Sequence, residues 1–155
     1  MAVAKQIAKH VRDFHFGGNY TGVNLKQTLE DLTWQEATAK YKSLNTIAAL
    51  VFHIHYYMDA VLKVLQGNPL DAHDEYSYHH PVIESEDDWQ NLLNRVYSVA
   101  DQFARSIENL EDARLDEDFL DGKYGSYFRN LEGIIEHANY HLGQIAILKK
   151  LLRNH

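Results

Sequence analysis

Two histidines one helical turn apart, His137 and His141, sit in the stretch EGIIEHANYHLGQIAILKKLL, and a third, His53, lies in NTIAALVFHIHYYMDAVLKVLQG. Imidazole suits zinc, nickel, iron and copper. A zinc held by three protein ligands keeps a fourth position for water or substrate, whereas structural zinc is usually closed by four. The chemistry on offer is that of an open metal centre. A water there has its pKa brought down to about 7, and a coordinating thiol loses its proton outright. The chain has no cysteine. Such a thiol must therefore come from a cosubstrate, and disulfides, thiolate metal sites and a protein thiol nucleophile are excluded.

Helical periodicity places these side chains. With 3.6 residues per turn, Leu131, Ile134, Ala138, Leu142, Ile145 and Leu152 form one stripe. His137 and His141 fall inside or beside it, while Glu136, Asn139 and Lys150 point the other way. On the earlier segment the stripe is Ile47, Leu50, Val51, Ile54, Met58, Val61 and Leu65. His53 falls among Ala49, Tyr57, Ala60 and Val64, a face small and apolar enough to be buried as well. His55 falls on the edge carrying Asp59 and Gln66 and reads as a polar-edge residue. A histidine pair at this spacing also arises by chance, and a buried histidine is often a hydrogen-bonded core residue. His53 on a second buried face is what favours a metal set of His53, His137 and His141.

Three further side chains are candidates to touch substrate or ligands: Tyr57, one turn beyond His53, and Tyr140 and Gln144, which flank the His137 side of the last helix. Each could orient a ligand or donate a hydrogen bond; the competing reading packs the tyrosines with their hydroxyls at the edge of the core. Gly133, one turn before His137, weakens that helix by about 1 kcal/mol relative to alanine. It is expected to leave space at the metal or to let two helices touch. His73, His79 and His80 occur with Asp71 and Asp74 in one stretch. A second metal site is the sharper reading there, and a solvated loop, long enough to cover a pocket, the preferred one.

These positions need long helices. The expected ones run from about Val3 to Phe14, Asn45 to Gln66, Ser85 to Leu110 and Tyr127 to Arg153. Two short helical pieces follow the glycine-rich FGGNYTGVN. Thr33 and Glu36 have capping-box spacing, as do Ser85 and Asp88, and Gly67 stands where a helix would stop. Both prolines, Pro69 and Pro81, fall in GNPLDAHDEYSYHHPVIE, between the second and third long helices. No strand alternation, internal repeat or low-complexity tract is visible. The expectation is an all-α fold, an antiparallel four-helix bundle in a single domain over residues 1–155.

The chain has 155 residues, enough to bury a core without a structural metal. Its net charge of -7 argues against a nucleic-acid partner. No apolar run approaches the roughly 20 residues that span a bilayer. The basic, amphipathic MAVAKQIAKHVRDF reads as a first helix rather than a targeting peptide, because it lacks a continuous apolar core. The expected location is the cytoplasm. A di-iron bundle would need Glu-x-x-His motifs, and the chain contains none. A non-catalytic metal-binding or interaction bundle is the remaining rival to an enzyme.

At the histidine segments the chain resembles the DinB/YfiT-like metal-dependent superfamily. The likeness is carried by the His53 segment, HANYHLGQI, GGNYTG at residues 17 to 22, and SEDDW, so it covers most of the chain. The resemblance implies an antiparallel four-helix bundle with a long helix 2–helix 3 connection. It also implies a divalent metal on His53, His137 and His141, zinc or nickel first, with iron and manganese as further candidates. Homodimers are common among such relatives. Their activities include transfer or isomerisation with low-molecular-weight thiols such as bacillithiol or mycothiol, and others are described as hydrolases. The resemblance thus implies a small-molecule substrate and a thiol S-transferase or hydrolase reaction, while the charge and the lack of a long apolar run leave neither nucleic acid nor membrane as an expected partner.

Overall fold

The computed structural model describes residues 2–154. Their regular structure is helical: α1 (Val3–Phe16), α2 (Leu25–Leu29), α3 (Trp34–Thr38), α4 (Ile47–Leu65), α5 (Glu86–Glu108) and α6 (Tyr127–Arg153). Short 3-10 turns occupy Asp74–Tyr76 and Asp112–Asp116.

The helix starts follow from side chains that satisfy orphan backbone donors. Thr46 accepts from the Ala49 N–H and Ser85 from that of Asp88, each at 3.1 Å. Ser126 accepts from the Arg129 N–H at 3.2 Å. The capping box forms in full: the Thr33 N–H donates to Glu36 at 2.9 Å, and the Glu36 N–H donates to the Thr33 hydroxyl at 3.2 Å. Asn45 and Thr46 stay outside α4 because Thr46 is extended, as a cap must be. α1 continues past Phe14 to Phe16, where Gly17 turns the chain at φ +109°.

α4 ends in a Schellman motif. The Gly67 N–H donates to the Val64 carbonyl and the Asn68 N–H to that of Lys63, both at 2.9 Å. Gly67 has φ +88°, and a Cβ built there meets nothing within 4 Å. Gly67→Ala therefore tests backbone strain alone. It is expected to lower stability by about 1–2 kcal/mol, read as a shift in the urea midpoint at unchanged slope.

The long helices pack α1 on α5, α5 on α4, α4 on α6 and α6 on α1. Their buried apolar residues form two clusters. One holds Ala4 to Val11, Met58 to Val64, Val99 to Ile107 and Tyr127 to Ile135. The other holds Phe14, Ile47 to Ile54, Trp89 to Val96 and Ala138 to Leu148. The changeover falls after Val11 on α1, after Ile54 on α4, after Val96 on α5 and after Ile135 on α6. The histidines of interest cluster near this seam. α4 has the length and composition of a membrane-crossing helix, but most of its residues are buried in this core.

Candidate metal centre

α4 and α6 bring three imidazoles to one point. His53 Nε2 lies 3.1 Å from His137 Nε2, which lies 3.1 Å from His141 Nε2. One ligand atom from each residue falls within 4.8 Å of the others. Hydrogen bonding among the rings cannot explain this. A neutral imidazole has one N–H, and its bare nitrogen has one lone pair. The Nε2 of His137 can therefore satisfy only one of its two neighbours. A metal satisfies all three. Tetrahedral bonds of 2.0–2.1 Å would separate the nitrogens by about 3.3 Å, close to the two 3.1 Å spacings that His137 makes.

The protonation states fit a ligand set. His141 Nδ1 stands 2.7 Å from Gln144 Oε1, which can only accept, so the proton is on Nδ1 and Nε2 is bare. Burial, followed by the neighbouring imidazoles, lowers the His53 pKa to about 4, against opposing contributions from the Ser77 main chain and Asp74. Burial and then His141 lower His137 to about 4. Both rings are neutral at pH 7, as a metal requires. His53 and His141 are 7% and 6% exposed, whereas His137 is half-buried and marks the side nearer solvent.

A sequence-family model described as the DinB superfamily matches residues 21–145. The chain belongs to the DinB superfamily. The matched span contains His53, His137 and His141. Searches of curated proteins and of solved structures return no match.

Gln144, Tyr57 and Tyr140 all stand next to the three histidines of this DinB-superfamily chain. Gln144 holds the outer nitrogen of His141. Gln144→Leu is expected to weaken metal binding by about 10–100-fold with the helical content unchanged, in competition titrations against a chelator; Gln144→Glu keeps the acceptor and most of the affinity. Tyr57 sets its ring edge against His53 at 5.2 Å and His137 at 5.5 Å, and its hydroxyl donates to Asp74 at 2.5 Å. Burial and that bond push its pKa up to about 12. Tyr140 is edge-on to His141 at 5.0 Å and 65% exposed, so it borders the site from solvent.

Sequence reasoning missed Tyr78. It stacks on His53 with ring centroids 3.9 Å apart and planes 4° apart. The α4–α5 connection thus reaches over the site twice, through Tyr78 and through Asp74. Its length was the only signal. Among the described residues, the histidines in the same connection do not join a metal group. His73 contacts Asp71 at 3.1 Å with both side chains exposed, His80 bonds the Pro81 carbonyl, and His79 approaches Tyr76.

Two expectations need correction. His55 is not a polar-edge residue: it is 6% exposed and faces His15 of α1, Nε2 to Nε2 at 2.9 Å. The wheel drawn for α4 alone could not show that α1 supplies a partner on that edge. Gly133 neither opens space at the metal nor admits a second helix, since a Cβ there would meet only the Arg129 guanidinium, at 3.0 Å.

Proposed function

We propose that this chain is a metal-dependent DinB-type enzyme. It is read as an antiparallel four-helix bundle, assembled as a homodimer, that uses His53, His137 and His141 to activate a low-molecular-weight thiol for transfer to a small-molecule substrate. Water in place of the thiol would make it a hydrolase. The observation that carries this reading is the convergence of three imidazoles within 4.8 Å, with His137 Nε2 3.1 Å from the Nε2 of both His53 and His141, contacts that its own hydrogen bonds cannot both satisfy. Zinc or nickel is the expected occupant, with iron or manganese as further candidates.

When bound, a divalent ion supplies Lewis acidity that favours the deprotonated form of a thiol or a water. The protein's own groups position. Gln144 fixes the His141 tautomer. Tyr78 covers one face of His53. Tyr57, protonated at neutral pH, ties Asp74 of the connection to the ligand helix. A cavity of about 630 Å³ lined by Tyr57, His73, Asp74, Tyr124, Asn130 and Ile134 among others lies beside the centre and meets it through Tyr57, since none of the three histidines lines it. That volume lies within the range of roughly 300–1,000 Å³ usual for small-molecule pockets, and its mixed lining suits a polar cosubstrate. The thiol is preferred over water because the family resemblance points to it.

The test begins with metal analysis of protein purified without an affinity tag. Protein reconstituted with zinc, nickel and manganese is then assayed for ester hydrolysis and for conjugation with several low-molecular-weight thiols. Activity that survives His141→Ala unchanged would overturn the metal mechanism, and inactivity with every cosubstrate would favour a binding module. Sedimentation at twice the 18.0 kDa chain mass is the expected result for the dimer.

A further inference from the structure

The seam between the two apolar clusters holds a second pair of imidazoles that the proposed chemistry does not use. His15 of α1 is 0% exposed and His55 of α4 is 6% exposed. His15 Nδ1 lies 2.7 Å from the Val11 carbonyl, and His55 Nδ1 lies 2.7 Å from the Val51 carbonyl. A carbonyl only accepts, so each Nδ1 must carry the proton. In a neutral imidazole the other nitrogen is then bare. The two bare Nε2 atoms face each other at 2.9 Å. Two buried lone pairs directed at one another are unsatisfied and repel. The arrangement calls for something electropositive between them.

We propose that His15 and His55 form a second metal site, distinct from the three-histidine centre, that takes a monovalent d10 cation of the Cu(I) type. Two observations select that class. No third histidine, cysteine or carboxylate joins the pair among the described residues, and Phe14 and Phe16 pack against the His15 ring. A zinc or calcium ion needs four or more ligands, more than the two nitrogens that meet here. The desolvation penalty also grows with the square of the charge, so a single charge is the one such a site tolerates best. Imidazole nitrogen is a good copper ligand. Two-coordination with bonds of about 2 Å requires the rings to part by roughly 1 Å. A cavity of about 60 Å³ adjoins His55, bordered by the apolar Phe52, Leu92 and Val96 and by Asp59 and Arg95; it gives room for that movement, and the Asp59 carboxylate there is already paired with Lys63 at 2.8 Å. His53 and His55 leave α4 in different directions, so the two sites share a helix but no ligand.

The experiment uses the full chain carrying His137→Ala and His141→Ala, which disables the three-histidine centre. The protein is loaded anaerobically with Cu(I) held by a competing chelator, and bound copper is counted by atomic emission. One copper per chain is expected, with X-ray absorption showing two nitrogen neighbours, and adding His15→Phe should reduce uptake to none. Should the His15→Phe chain not fold, as judged by circular dichroism, the coordination number from X-ray absorption decides. No copper uptake, equal uptake after His15→Phe in a folded chain, or four-coordinate copper would each overturn the proposal. So would a strongly deshielded, exchange-protected N–H proton shared by the two rings in a chain that takes up no copper. Because the three-histidine centre is absent throughout, failure here leaves the proposed function standing.

Discussion

Replacing His141 by alanine is expected to abolish tight metal binding while leaving the helices in place. The loss should exceed the 10–100-fold that removal of an outer-shell partner such as Gln144 brings, because a bond to the ion itself disappears. Two nitrogens 3.1 Å apart would remain, those of His53 and His137, and an open two-ligand site cannot compete with a three-ligand chelator. The fold should survive. His141 belongs to neither apolar cluster, and its neighbours Ala138, Leu142 and Ile145 keep α6 docked. Competition against a graded set of chelators measures the affinity, and far-ultraviolet circular dichroism reports the helices. An exposed histidine of the α4–α5 connection, His79, supplies the control: His79→Ala should alter neither reading. Equal affinity in wild type and His141→Ala would show that the three rings are not a ligand set.

The legibility of this site in the sequence had a physical limit. His137 and His141 were readable because both imidazoles lie on one helix, where spacing alone fixes their relative direction. His53 was readable because the face it shares with Ala49, Ala60 and Val64 is apolar enough to be buried. His55 was misplaced because its environment is set by α1, and a periodicity argument on α4 carries no information about a second helix. Tyr78 was invisible for a related reason. It comes from a connection without periodicity, and its stacking on His53 is a long-range contact. The caps at Thr33, Ser85 and Gly67 were legible because a cap is a local exchange between a side chain and backbone a few residues away. Local chemistry could thus be read residue by residue. The seam of histidines between the two apolar clusters appears only when the helices are brought together.

The same seam makes the metal-free chain sensitive to acid. Burial lowers the pKa of His15 to about 3, and His53, His55 and His137 to about 4, from an ordinary value of 6.5. Between about pH 6.5 and pH 4 the unfolded chain binds protons at these four rings and the folded chain does not, so protons pull the equilibrium towards unfolding. Stability is therefore full above pH 6.5 and falls as the pH drops towards 4. Each pKa unit corresponds to about 1.4 kcal/mol. The two most deeply buried rings, His15 and His55, should thus contribute a loss on the order of several kcal/mol, against a typical total of about 5–15 kcal/mol. Carboxylates do not confuse the upper part of the window. Hydrogen bonds from Arg153, with others from Lys149 and Thr33, lower Asp31 and Glu36 to about 2; their stabilisation is intact above their ordinary values near 4 and is lost only below them. Urea unfolding at steps between pH 7.5 and 4.5 should show a falling midpoint at nearly constant slope, less steep in His15→Phe. In the metal-loaded chain the fall should be steeper, because protons then also displace the ion that stabilises the folded state. A midpoint that stays level from pH 6.5 to 4.5 in the metal-free chain would mean that these rings take up protons without unfolding, and the neutral, buried seam would have to be abandoned.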